Sequence, residues 1–213
     1  MVNGLVSGLI KGNRNERHIG KTISCGRSAF SERGFYGVSI AAIASELGIT
    51  KQALLHHFKS KEKLYGAVLV RISSDFERAQ QQVMVDEPEP IPRIKAFVAH
   101  LADPSPSNVR RTRLLMRELL DNNERAKQAE HWYLKHFLDQ FVAMVQVVPG
   151  REAISATDNL GLIYQWLGAI NYFLVSIPTL SAILGKESFE DMARSQGEYL
   201  SRLVDATLAQ AQP

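Results

Sequence analysis

The chain has 213 residues, 45% of them hydrophobic, a formal net charge of +3 and a single cysteine. That apolar content can bury a core in one or two small domains, and one cysteine excludes an internal disulfide framework and suits a reducing, cytoplasmic setting. The charge is uneven: residues 1 to 59 carry eight Lys or Arg against three acids, and the remainder 17 against 19, a balance that fits a basic nucleic-acid reader joined to something else.

The first fifteen residues, MVNGLVSGLIKGNRN, hold a short apolar piece broken by glycines, with no basic start and no small-residue cleavage site. They do not read as a signal peptide, and the expectation is a flexible arm over 1–15 whose Lys11 and Arg14, with the following Arg17, add salt-sensitive phosphate contacts. The first helix is expected from about Arg17 to Arg33, with Ile19, Ile23 and Phe30 inward and Gly34 as its stop. Cys25 lies within it beside Gly26 and reads as a buried, inert thiol.

The stretch SIAAIASELGITKQALLHHF, Ser39 to Phe58, predicts two short helices around a tight turn. Ser39 can cap the first, because a serine hydroxyl accepts from an orphan backbone N–H at a helix start. Ile40, Ile43, Ala44 and Leu47 recur at three- and four-residue steps and share a face to bury. Gly48 stops that helix, since a left-handed residue costs glycine little. Ile49 plugs the turn and Thr50 is placed to cap a second helix. There Leu54 and Phe58 point inward, while Gln52 and His56 face outward beside Lys51 and Leu55. A short helix with a buried aliphatic side and an outer side of Lys, Gln and His is what the major groove of DNA admits.

Together with SAFSERG and GFYGVSI before it and KSKEKLYGAVL after it, this run resembles the DNA-binding domain of the TetR family (tetracycline-repressor-like) of bacterial transcriptional regulators, over about Ile19 to Leu69. The resemblance implies an all-α protein: an N-terminal three-helix helix-turn-helix domain over 16–62, with its motif at 39–58, and a helical ligand-binding and dimerisation domain over 63–213. It implies that Ser39, Thr50, Lys59 and Lys61 hold phosphates and that Lys51, Gln52 and His56 reach bases. One departure stands out. Where the family usually has a tyrosine just before the two residues preceding Phe58, this chain has Leu55, which cannot donate to a phosphate but can meet a thymine methyl.

Beyond the motif, Ser60 caps a long helix to about Val85, with Leu64, Val68, Leu69 and Ile72 along it. DEPEPIP, Asp86 to Pro92, breaks the pattern with three prolines. Helices are then expected over Arg93 to Leu101 and Asn108 to Leu120, the second carrying Arg110, Arg111, Arg113 and Arg117, which read as a solvated face in preference to a site for an anionic ligand. A longer helix runs to about Val147 with Trp132, Phe137, Phe141 and Met144 on its apolar side. Leu114 to Trp132 again resembles regulatory domains in part of the TetR family, more loosely. Asn159 to Gly185 is 27 residues without a formal charge, long enough to cross a bilayer. Its interspersed polar residues and Pro178, and the lack of flanking basic clusters, favour a helix that buries one face in its own core and another in a partner subunit. The last helix is expected to open on a capping box, Ser188 to Asp191. By resemblance, the last two helices form a homodimer interface.

Enzyme constellations are missing from the sequence: it has no phosphate-cradling glycine loop, no Cys-x-x-Cys pair and no Gly-x-Ser-x-Gly elbow. His131 and His136, five apart, are poorly spaced for one metal. No catalytic residue, metal or cofactor is therefore expected. The aromatic-rich second domain can enclose an apolar pocket with a few polar anchors, for which Arg117, Trp132, Tyr133, His136, Gln165, Trp166, Asn171 and Tyr172 are the candidates. The function expected is a ligand-released repressor that binds a near-palindromic operator as a dimer. The rival readings are a helical small-molecule-binding protein or enzyme without specific DNA binding, and a membrane-associated helical protein.

Overall fold

The computed structural model describes residues 3–121 and 133–209, with side chains over 18–120 and 133–209. Among the described residues there are nine helices and no strand. They are α1 (Asn3–Arg33), α2 (Ile40–Glu46), α3 (Lys51–Phe58), α4 (Lys61–Asp86), α5 (Pro90–Ala102), α6 (Pro106–Asp121), α7 (Lys135–Gln146), α8 (Ala156–Leu184) and α9 (Lys186–Ala209). The chain divides into two compact units, Met1–Ile72 and Ser73–Pro213.

In the first unit, Phe30, Ile43, Leu54, Leu64 and Val68 are fully or almost fully buried. Phe30 meets Tyr65 edge-on at 5.0 Å between ring centres, and Phe35 meets the same Tyr65 at 5.1 Å. Gly26 sets the approach of α1 to α4, because a Cβ there would stand 3.4 Å from Val68 and 3.6 Å from Leu64. These contacts explain why the boundary lies at Ile72, inside α4, beyond the residue 62 that the motif suggests. The first turns of α4 complete the core of the unit that precedes them.

Helix α1 begins at Asn3, well before Arg17, so the backbone of residues 3–15 is helical where an arm was expected. No proline interrupts the stretch. Once a helix is nucleated, each further residue adds a hydrogen bond, so scattered glycines weaken it without stopping it.

The second unit is built on aromatic contacts. Phe76 stacks on Phe137 at 4.6 Å, Phe97 meets Phe141 edge-on at 5.0 Å, and Phe141 reaches Trp166 at 6.0 Å. Helix α8 packs against α5, α6, α7 and α9, burying Leu162, Ile163, Trp166, Ile170 and Leu174. By length and composition alone it is long and apolar enough to cross a membrane, and its helical neighbours give a second use for that apolarity.

Three further helix starts differ from the sequence expectation, all for reasons of capping. Helices α5 and α6 open on Pro90 and Pro106, where the missing N–H would be unpaired in any case. Helix α9 opens at Lys186, so Ser188 lies inside its first turn and makes no cap. The preceding Gly185, at φ +76°, supplies the break, and its carbonyl already accepts from Phe189 N at 3.1 Å.

Candidate functional site

The reading head is built by three caps. Ser39 Oγ accepts from Ala42 N at 3.1 Å, and Thr50 Oγ1 accepts from Ala53 N at 3.1 Å, so both expected N-caps are in place. Between them Gly48, at φ +66°, lets its own N–H bond Ser45 O and the N–H of Ile49 bond Ala44 O at 3.0 Å. That pair of bonds is the Schellman arrangement, which satisfies the last carbonyls of α2 and aims the chain directly into α3. Leu47, expected inward, is only half-buried because it occupies the cap of α2.

The turn before α2 is sterically fixed. A Cβ on Gly37 would stand 2.2 Å from the carbonyl oxygen of Arg33, so no other residue fits that backbone. Val38 follows, buried, and its carbonyl accepts from Lys61 Nζ at 3.0 Å. The same ammonium lies 4.3 Å from the centre of the Phe35 ring. Lys61 is thus tied into the domain, where its charge braces the loop ahead of Ser39.

Helix α3 sorts its residues by face. Leu54 is buried and Phe58 half-buried, while Lys51, Gln52 and His56 are exposed together and Leu55 is half-buried beside them. His57 is exposed too, with its ring edge-on to that of His56 at 5.5 Å. Ser39 and Thr50 use oxygen lone pairs for capping, which leaves each hydroxyl hydrogen to donate outward. Lys59 ends α3 at φ +63°, the one non-glycine residue with positive φ among those described, and its N–H bonds Leu55 O at 2.8 Å. A lysine in the left-handed region costs about 1–2 kcal/mol relative to its preferred backbone.

Cys25, on α1, hydrogen-bonds Glu46 at the end of α2. Burial first, and the Glu46 contact second, push its thiol up to about 11, so it is a neutral thiol at physiological pH.

The second unit holds a cavity of about 340 Å³. Its walls come from the α4 segment (Phe76), α6 (Arg111, Thr112, Leu115, Met116), α7 (Phe137, Leu138) and α8 (Tyr164, Leu167, Asn171, Tyr172), among others. Most of this lining is apolar, with Arg111, Thr112, Asn171 and the two tyrosines as the polar points.

Residues 23–68 match the family model for bacterial regulatory proteins of the tetR family. That segment carries a DNA-binding domain of the TetR-family kind. The chain is accordingly a DNA-binding regulator of transcription, and not an enzyme. Over 163 residues it is 26% identical to the HTH-type transcriptional regulator RutR of Escherichia coli strain K12, covering 76% of each chain. It is 27% identical over 170 residues to the nucleoid occlusion factor SlmA of Haemophilus influenzae strain PittGG, covering 77% of each. In fold it is similar to AibR, solved in complex with isovaleryl coenzyme A and operator DNA, at a TM-score of 0.63 and 19% identity, covering 84% of this chain and 96% of that one.

Within this TetR-family fold the eight candidate ligand residues fare unequally. Asn171 and Tyr172 line the cavity. Trp166 is fully buried in the core with Nε1 donating to Thr207 Oγ1 at 3.0 Å, so it packs rather than binds. Gln165, His136 and Tyr133 are exposed, and His136 pairs with Gln140 on its own helix. Arg117 is exposed and outside the lining, and Trp132 lies outside the described residues. The sequence reading missed Arg111, Phe76 and Phe137. Arg111 was placed on a solvated face with its arginine neighbours, yet it is 9% exposed. The signal available was its position: Arg111 is three residues from Asn108 and from Leu114, both buried on the inner side of α6.

Proposed function

We propose that this chain acts in the cytoplasm as a homodimer that sets two copies of α3 in successive major grooves of a near-palindromic operator, and that a small molecule in the second-unit cavity releases it. The observation that carries the DNA half is the shared exposure of Lys51, Gln52 and His56 on a helix capped at Thr50 and anchored by Leu54. On this reading Gln52, His56 and Lys51 meet base edges, and the hydroxyls of Ser39 and Thr50 with the ammonium of Lys59 meet phosphates. Leu55 gives a thymine methyl an apolar contact. Lys61 acts from behind, through Val38 and Phe35, by holding the loop that presents Ser39.

The dimer half of the reading draws on the outer surfaces of the last two helices. Ile183, Leu184 and Tyr199 stand 41–72% exposed there, an apolar surface suited to a second copy of the chain. Release would be a population shift: a ligand that binds better to the dimer with misplaced reading heads draws the population toward it, and α4, which runs through both units, is the element suited to pass the change.

The test is fluorescence-anisotropy binding of the full chain to the intergenic DNA beside its own gene, at physiological salt with scrambled competitor. Tight, competitor-resistant binding is expected. Binding that disappears with salt and shows no preference would reduce the first unit to a basic helical domain and overturn the operator reading.

A further inference from the structure

The polar groups that line the second-unit cavity are not equally available. Arg111 is already engaged. Its Nη2 donates to Asn108 Oδ1, and the Asn108 amide is itself held, donating from Nδ2 to the carbonyls of Leu101 and Asp103 at 2.7 Å each. The Arg111 guanidinium carbon also lies 4.3 Å from the centre of the Phe76 ring. Thr112, the next residue on α6, is only 4% exposed and lines the cavity. Its hydroxyl has no hydrogen-bond partner among the described residues, yet it is not one of their sealed atoms, so the surface it keeps opens on the space it lines. Asn171, on α8, lines the same space half-buried, and its amide has no partner among the described residues either. Tyr164 and Tyr172, on the same helix, are 49% and 75% exposed and stand where the cavity meets water.

An unpartnered hydroxyl in a buried wall rewards any ligand atom that pairs with it, and both a threonine hydroxyl and an asparagine amide can donate as well as accept. Neither carries a charge. An ion drawn to Thr112 and Asn171 would exchange its hydration for neutral partners, because the guanidinium in the same wall is committed to Asn108 and Phe76. Desolvating an ion costs far more than desolvating a neutral polar group, so the free pair selects against charge of either sign. Around that pair Leu115, Phe137 and Leu167 offer contact to hydrocarbon. At about 30 Å³ for each non-hydrogen atom, a volume of about 340 Å³ holds roughly eleven of them. The geometry points to an uncharged amphipathic molecule as the effector, with a carboxamide or hydroxyl head at Thr112 and Asn171 and a medium-length hydrocarbon body against α6, α7 and α8. This rests on the reading of the cavity as the effector site.

The experiment separates the ligand class from the release mechanism. Octanamide and octanoate share one shape and differ in charge, and octylamine carries the opposite sign. Each is titrated calorimetrically at neutral pH into the full chain without DNA, and then into the chain bound to operator. Octanamide is expected to bind about tenfold more tightly than either ion. Any apolar site favours the neutral probe to some degree, so the two side chains are tested directly. Thr112→Val, which keeps the shape and removes the hydroxyl, and Asn171→Leu are each expected to weaken octanamide binding about fivefold. A Cβ at Gly168 on the α8 wall would meet nothing within 4 Å, so Gly168→Leu fills open space and is expected to abolish binding of all three probes. If Thr112→Val fails to fold, Asn171→Leu and Gly168→Leu decide. Octanoate or octylamine binding as tightly as octanamide, octanamide binding that neither Thr112→Val nor Asn171→Leu weakens, undiminished binding to Gly168→Leu, or no binding by any probe would overturn the assignment. Octanamide binding with the expected pattern but without loss of operator affinity would uphold the uncharged-ligand site and remove its effector role.

Discussion

The two units of this protein carry function in opposite ways. In the first, every side chain proposed to meet DNA directly comes from Ser39 to Lys59, one continuous stretch in which two caps and a glycine turn set the geometry locally. In the second, the cavity draws on Phe76, Arg111, Phe137 and Asn171, which are remote in sequence and meet only when the helices pack. A local device can be read from residue spacing. An enclosed space cannot, since it is defined by what several helices leave unfilled.

This contrast can be broken most forcefully at Gly37. Gly37→Ala puts a Cβ within 2.2 Å of Arg33 O, a backbone atom that cannot swing away, so a loss of about 2–3 kcal/mol is expected in chemical denaturation. DNA binding should fall with it while the second unit stays folded. If both units unfold together, they are not energetically separate.

Next in size are the substitutions that divide base reading from phosphate binding. Gln52→Ala should change sequence preference by about 1–3 kcal/mol between operator variants. Lys59→Ala should weaken binding to all sequences alike and lower the salt slope by about one. Lys59→Gly should show the same DNA defect yet be more stable than Lys59→Ala by about 1 kcal/mol, because glycine accepts φ +63° without strain. Equal losses on matched and scrambled DNA for Gln52→Ala and Lys59→Ala would defeat this division.

Removing the Thr50 cap is a smaller perturbation. Thr50→Ala leaves the Ala53 N–H without its acceptor and should cost about 1 kcal/mol of stability by thermal or denaturant unfolding. The smallest effect concerns Cys25. With its thiol raised to about 11, alkylation at pH 8 should run roughly a hundredfold slower than for an ordinary thiol and rise steeply only as the pH nears that value. The stability linked to the protonated thiol is fully present below the ordinary value of 9.0 and is lost as the pH climbs through about 11. Iodoacetamide labelling followed across pH measures the first effect, and denaturant midpoints across the same range measure the second.

Particular residues show where legibility ended. Ser39, Gly48 and Thr50 were readable because each acts on backbone groups within three residues of itself. The prolines at 90 and 106 misled, since the same missing N–H that ends a helix also suits its first position, and only the surrounding chain decides which applies. Lys61 was expected at a phosphate, but its engagement with Val38 O and the Phe35 ring depends on how α4 returns past the loop before α2. Among the aromatics, Trp166 and Tyr172 look alike by composition; one is sealed in the core against Thr207 and the other stands 75% exposed at the cavity.

By itself, then, the sequence determined the all-helical class, the reading motif and the outward face of α3, because caps, turns and the 3.6-residue period act over a few residues and need no distant partner. Tertiary structure decided that Arg111 faces inward, that Phe76 lies against it and that Asn108 anchors it, because burial depends on which helix arrives opposite, a fact no local window of residues contains.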